Sequence, residues 1–232
     1  MSDKESPIHF DENRANTYDE RMKRMGPIMG ALHLLIRLSF RELPKNARIL
    51  CVGLGTGAEL IALAEANPEW TFVAVEPAPA MLAKCREKAE ALGIACRCTF
   101  HEGYLDSLQN SEPFDAATCL LVSHFILKRE ERVAFFSEIS SRLRSGGLLA
   151  SADISSDMDS PEFKTLLPVW CGMLSESGHE PEQVKSYVAA LGTGASVLPP
   201  DEVAAIIKDG GFAQATLFYQ SLLIHGWLSR KA

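Results

Sequence analysis

The sequence predicts an α/β domain: a seven-stranded, mostly parallel, doubly wound sheet with an antiparallel C-terminal hairpin, an N-terminal helical cap and a helical lid insertion. Three observations predict it. Short apolar runs alternate with helical patterns between residues 48 and 153, the rhythm of a parallel sheet covered on both faces. A glycine run, Gly53-Leu54-Gly55-Thr56-Gly57, stands between a strand and a helix, where the backbone has to turn tightly. Two apolar stretches, 213–223 and 225–229, lie too close together for a helical crossover, so they should pair antiparallel.

Each element has its own signal. Residues 14–24 and 28–42 read as two helices broken at Gly26-Pro27, the second with an apolar face of Ile28, Leu32, Leu35 and Ile36 and a stop at Pro44. Strands are expected at 48–52, 71–75, 95–100, 115–121 and 148–153. The helices between them fall at 58–66, before Pro68, at 78–92, before Gly93, and at 128–144, before Ser145-Gly146-Gly147. After the fifth strand the alternation stops. Residues 159–192 read as two helices parted near 178–181, and Pro199-Pro200-Asp201 opens a helix running to Lys208. One domain is expected over 1–232, with a cap at 1–44 and a lid at 157–198.

Composition narrows the function. At 232 residues, 47% hydrophobic and 23% charged, the chain suits one ordinary soluble domain. No apolar run is long enough to span a bilayer. The polar start Met1-Ser2-Asp3-Lys4-Glu5 is neither a signal nor a transit peptide, so a cytoplasmic protein is expected. A net charge of -7 disfavours a nucleic-acid partner, although Arg21, Lys23 and Arg24 make a local basic patch. The six cysteines include the pair Cys96 and Cys98, but no second close pair completes a zinc set. Reduced thiols and no metal are expected.

The glycine run gains weight from Glu76, which ends the second strand 19 residues after Gly57. A carboxylate there can accept hydrogen bonds from both hydroxyls of a ribose. Loop, acid and βαβ context together predict an adenosine-type ligand. Read as G-x-G-x-G the loop suits S-adenosylmethionine (SAM); read as Gly53, Gly55 and Ala58 it also fits a dinucleotide pattern. The hairpin, unusual for a nicotinamide domain, favours SAM.

The segments 49–57 (Ile-Leu-Cys-Val-Gly-Leu-Gly-Thr-Gly) and 75–82 (Val-Glu-Pro-Ala-Pro-Ala-Met-Leu), with Phe114-Asp115, His124, 143–147 (Leu-Arg-Ser-Gly-Gly) and Gly211-Phe212, resemble the class I SAM-dependent methyltransferases. The resemblance covers about 45–155 and 200–230. It leans toward the branch with an N-terminal helical cap, here containing Asn16-Thr17-Tyr18-Asp19, which also holds carboxy-SAM synthases of tRNA wobble-uridine modification. It implies that Gly53, Gly55 and Gly57 pass around the methionine and ribose of SAM, and that Glu76 holds the ribose. Pro77 would pack on the adenine, with Met81 also on the cofactor side. Gly103, Tyr104 and Leu105 would touch the adenine edge, Tyr104 standing where the family often has Asp. The backbone of Leu120 and Leu121 would face the methionine amine, and S-adenosylhomocysteine would be the product. Carboxy-SAM synthases use an arginine just before the last helix, whereas no Arg or Lys falls between Lys185 and Lys208 here. The resemblance therefore implies ordinary SAM.

His124, just past strand four, is the candidate catalytic base or acceptor contact; its alternative is a structural histidine. Tyr18 and Arg21 are candidate cofactor caps. The lid stripe of Phe163, Leu166, Leu167, Trp170 and Met173 doubles as a packing face, with Trp170 the candidate for meeting the acceptor. His179 and His225 read as structural or exposed, His225 away from the site. The leading expectation is methyl transfer to a small molecule, possibly heteroaromatic or natural-product-like. The alternatives are a wobble-uridine-pathway enzyme, a nicotinamide oxidoreductase or a non-catalytic SAM-binding protein. The apolar N-terminal helix offers a homodimer contact.

Overall fold

The computed structural model describes residues 12–110 and 112–232; the first residues of the expected cap lie outside that range. Seven strands form one sheet: β1 (Arg48–Val52), β2 (Thr71–Glu76), β3 (Cys98–Glu102), β4 (Phe114–Leu120), β5 (Leu143–Ile154), β6 (Phe212–Ser221) and β7 (Ile224–Lys231). Their order is β3-β2-β1-β4-β5-β7-β6. The first five strands run parallel, and β7 is antiparallel to both neighbours. The expected architecture is therefore present, hairpin included.

β1 is Arg-Ile-Leu-Cys-Val, apolar on both sides, as a central parallel strand must be when helices cover both faces. On one face Ile49, Cys51, Phe72, Ala74, Ala116, Ala150 and Ala152 form a core with six helices. Contributing side chains come from α2 (Gly26–Ser39), α3 (Ala58–Ala66), α4 (Pro79–Ala91), α6 (Pro161–Glu176) and α7 (Pro181–Ala190), with Met22 of α1 (Glu12–Arg24) at its margin. On the other face Leu50, Val52, Val75, Ala117, Leu149 and Trp227 meet α5 (Arg129–Arg142) and α8 (Pro200–Asp209) through Phe136, Ile139, Val203, Ile206 and Ile207. The helices α1–α2 and α6–α7, expected as cap and lid, thus share a face with the helix that follows the glycine loop.

Three boundaries differ from expectation, each for a local reason. β3 starts at Cys98 because Ala95–Arg97 forms a 3₁₀ turn. Its Arg97 guanidinium donates to the carbonyls of Ala64, Asn67 and Trp70 and ties the turn to the end of α3. β5 starts at Leu143 rather than 148, the ladder shifting register between Phe114 and Ala116 where Gly146-Gly147 bulges out. α2 ends at Ser39, not 42, because Phe40 caps it and turns fully into the core. Within α2, Leu32 and Ile36 are buried, while Leu34 and Leu38 face outward. No helix among the described residues is long and apolar enough to cross a membrane.

Phe136 is fully buried where α5 meets α8, and a Cβ placed on Gly210 would come within 2.4 Å of it. A site this tight cannot collapse around a void. Phe136→Ala should cost about 3–5 kcal/mol and lower the melting temperature by roughly 6–20 °C, read by calorimetry.

Candidate functional site

The register brings the C-terminal ends of β1, β2, β4 and β5 together: Val52 lies opposite Val75 and Cys119, and Cys119 opposite Ser151. Ligands of open α/β sheets bind at this edge. The chain leaves β1 through the glycine loop, whose Gly53, Gly55 and Gly57 all have positive φ. Gly53 is pressed against the chain just past β4, since a Cβ there would stand 2.6 Å from Val122 Cγ2. Gly55 faces space: the nearest atom to a Cβ would be the Tyr18 hydroxyl, at 4.0 Å. Backbone, with no side chain in the way, is what a ligand would meet at that point.

Glu76 closes the loop from the neighbouring strand. Gly55 N–H donates to its Oε2 at 2.8 Å and Ala78 N–H to its Oε1 at 2.9 Å. Each oxygen keeps a further lone pair for a ligand hydroxyl. Burial raises the Glu76 pKa, and the two amide bonds pull the other way. Among the other sequence-predicted residues, Pro77 is exposed and Met81 is buried at the start of α4. Gly103 N–H donates to Glu76 O, Tyr104 is exposed and Leu105 is buried in the core. Leu120 and Leu121 are half-buried. Leu121 adopts φ 59°, an uncommon conformation for a branched residue, while its N–H donates to Ala152 O at 2.6 Å.

α1 covers the loop. Tyr18 stands over Gly55; burial first, then Glu59 and Glu76, push its phenol pKa up. Asp19, which the sequence reading quoted without a role, is the fastening. Thr56 Oγ1 and Lys88 Nζ each donate to its Oδ1 at 2.7 Å, and Lys88 also reaches Thr56 O at 3.3 Å. Arg21 turns to the lid instead, donating to Gln183 Oε1 at 3.0 Å.

At the ends of β4 and β5 lies a buried polar cluster that sequence reasoning did not assemble. Asp153 Oδ1 accepts from His124 N–H and bonds to His124 Nδ1, both at 2.9 Å. Its Oδ2 accepts from Ser123 Oγ at 2.5 Å and from Arg132 Nη2 at 3.0 Å. Arg132 Nε donates to Ser123 Oγ, and its Nη1 to Ser196 O at 3.3 Å, while Ser196 N–H donates to His124 O at 2.7 Å. The cluster therefore joins both strand ends, α5 and the segment leaving the lid. His124 is 2% exposed, Arg132 and Asp153 0%. Burial works to raise the Asp153 pKa; Arg132, then the bonds from His124 and Ser123, outweigh it and hold the carboxyl below its usual range. Facing an ionised Asp153, His124 Nδ1 is the donor of their bond. Ser123 beside His124 and Asp153 at a strand mouth were the available clues.

Trp170, the candidate for meeting the acceptor, is buried in one cluster with Phe163 and Leu174 of α6. One expectation needs correction. His225, expected away from the site, sits directly opposite Asp153 on β7. It is buried, which lowers its pKa, and its Nδ1 bonds to Leu223 O. His179 is buried and bonded to Ser177 and Leu174 O at the end of α6. All six cysteines are unpaired, and no group of three or more His, Cys, Asp or Glu among the described residues is placed to hold a metal.

Comparison with known proteins agrees with this fold. The methyltransferase domain family matches residues 49–147, from β1 to the start of β5. A carboxy-S-adenosyl-L-methionine synthase of Campylobacter lari is 25% identical over 209 residues, covering 90% of this chain and 88% of that protein. An O-methyltransferase family protein from Burkholderia thailandensis superposes with TM-score 0.67 at 14% identity over 96% of this chain. PigF with SAH superposes with TM-score 0.65 at 17% identity over 95%. The chain spans 60% of the length of each of these two structures, which at such identities share its fold. The chain is similar to the class I SAM-dependent methyltransferases, and SAM is the cofactor that goes with this similarity.

Side chains of α5 and β5 yield three measurable outcomes. Arg132→Met strands an unpaired carboxylate and should cost about 3–5 kcal/mol in denaturant unfolding. Arg129→Met, breaking an exposed 2.6 Å pair with Asp209, should cost no more than about 1 kcal/mol. The depressed Asp153 pKa contributes stability that is fully present above the unfolded carboxyl pKa and lost as pH falls through the folded one. The stability difference between wild type and Asp153→Asn should thus stay flat from neutral pH to the ordinary carboxylate range and shrink below it.

Proposed function

We propose that the chain is a cytoplasmic methyltransferase that moves the SAM methyl group to a small-molecule acceptor. The carrying observation is the clamp at Glu76: a carboxylate at the tip of β2, already gripping Gly55 N–H, beside bare backbone and beneath Tyr18. In this reading Glu76 takes the ribose hydroxyls, and Gly53, Gly55 and Gly57 line the rest of the nucleoside. Pro77, Met81 and the Gly103–Leu105 turn border the adenine, and Leu120 and Leu121 the methionine. SAM supplies an activated methyl on a cationic sulfur. The residues supply position and a dry site, where proximity can contribute roughly 7–11 kcal/mol.

The cap (1–44) and lid (157–198) act on one domain as its two covers, joined by Arg21 and Gln183. Half-buried Leu121, Met158 and Tyr187 are our assignment for the acceptor wall, since Trp170 is engaged in the core. His124 serves in this reading to position the β4 end and the lid exit. Its backbone N–H and C=O and ring Nδ1 are all bonded, and so little of the ring is exposed that it presents no surface to an acceptor. Carboxy-SAM chemistry is disfavoured. No Lys or Arg lies in 186–207, and Arg132, which reaches Ser196 O, is committed to Asp153. The net charge of -7 disfavours a nucleic-acid acceptor.

A thermal-shift screen of SAM, S-adenosylhomocysteine, NAD and NADP should show stabilisation by the first two; stabilisation by NAD alone would overturn the proposal. Glu76→Ala should weaken SAM binding about 10- to 150-fold by calorimetry, the worth of charge-assisted hydrogen bonds. Lys88→Met, which loosens Asp19, should speed both association and dissociation of SAM in stopped flow. Unchanged rates would remove the gating role of α1.

A further inference from the structure

α1 is held mainly by polar contacts, and they run to two different places. Among its described side chains Met22 alone packs against the apolar core. On one side Asp19 Oδ1 accepts from Thr56 Oγ1 and Lys88 Nζ, both at 2.7 Å, and Tyr18 stands over Gly55. Within the next two turns the helix reaches α7. Arg21 Nη2 donates to Gln183 Oε1 at 3.0 Å. The same oxygen accepts from Glu180 N–H at 3.1 Å and closes the first turn of α7. Arg24, three residues on, lies against the turn before α7: a Cβ on Gly178 would stand 3.1 Å from its Nη1. Val184 is the one buried residue within α7. Tyr187 follows Gln183 by one turn and meets the His179 ring edge-on, centroids 5.0 Å apart, so the turn before α7, the helix and Tyr187 form one unit. The chain beyond α7 is bonded to the sheet. Ser196 N–H donates to His124 O at 2.7 Å, and Leu198 O accepts from Ser155 Oγ at 2.6 Å and Ser156 N–H at 2.9 Å. The exit of this unit is thus fixed by the sheet, and its first turn is fastened to α1.

We propose that α1 couples the two halves of the site: cofactor held beneath Tyr18 fixes α7 and, with it, the Tyr187 wall assigned to the acceptor, with Arg21 and Arg24 as the positioning residues. The inference rests on the SAM reading above. A ligand shifts an equilibrium only by its differential affinity for the two states. A nucleoside in the crevice meets Tyr18 only while α1 lies over the loop, and the Arg21–Gln183 bond forms only in the same arrangement. Each contact therefore raises the population of the other. The coupling is reciprocal, so a settled α7 also slows escape of the cofactor. The acceptor finds its wall complete after SAM has bound, and S-adenosylhomocysteine leaves after α7 has let go. The joining bond is exposed to water. Its coupling is therefore modest, about 2- to 12-fold, the net contribution of one hydrogen bond expressed as a ratio.

The test is amide hydrogen exchange of the full chain, read by mass spectrometry with and without saturating S-adenosylhomocysteine. Wild type is compared with Arg21→Met/Arg24→Met. Lys23→Met, which removes a positive charge from the same helix and breaks only an exposed pair with Glu20, is the control. In wild type and the control the ligand should slow exchange in 12–24 and, about 2- to 12-fold, in 181–190. In the double variant it should still slow 12–24 and leave 181–190 unchanged. A merely structural loss would speed exchange in α7 equally with and without ligand, so the ligand's effect on α7 is the discriminating readout. Protection that reaches α7 undiminished in the double variant, or that never reaches it in wild type, overturns the proposal. Absence of ligand protection at 53–57 in wild type would instead sink the SAM assignment, so the two failures are distinct.

Discussion

The Arg132–Asp153 contact is the constraint around which the functional end of the sheet is arranged. Both side chains are removed from water, and a buried charge left alone would be untenable. Each therefore draws in further partners: Ser123 and His124 from the end of β4, and Ser196 from the chain leaving the lid. Because α5 supplies the guanidinium and β5 the carboxylate, the far face of the sheet dictates where the rim of the crevice sits. The lid's exit is tied to the same point, so lid and strand ends are positioned by one set of bonds.

The other half of the crevice is organised by Glu76 and Asp19, two acids with opposite duties. Glu76 faces backbone amides and fixes the path of the loop. Asp19 faces a lysine and a threonine hydroxyl and holds a helix down over that loop. The first pattern is backbone recognition, insensitive to which side chains follow. The second is a partly exposed ion pair, weaker and screened by salt. A rigid floor beneath a releasable cover is what exchange of a bound molecule requires.

Much of this was legible in the sequence. The loop, the acid 19 residues after it, the lid helices parted near 178–181 and the hairpin follow from spacing and local propensity, which are short-range properties. What was not legible depends on register and on pairs distant in sequence. Arg132 looks like an ordinary helix arginine until β5 places Asp153 beneath it. His225 looked remote because nothing local says that it lies opposite Asp153 across an antiparallel ladder. The role of Trp170 was not legible either, because an apolar stripe at helical spacing marks a buried face without saying whether core or ligand covers it.

The position of β7 between β5 and β6 carries a consequence for how the chain reaches this state. β5 acquires its second neighbour only after the lid segment and α8 have been traversed, so the Asp153–His225 pairing joins residues far apart in sequence. Contacts of that kind form late and slowly. Until they do, β5 presents a bare row of amides and carbonyls, and Trp227 is not yet in its place against the far-face core. The vulnerable moment in this protein's biogenesis is thus the interval before the hairpin docks. A chaperone's protection would matter most along that temporary edge.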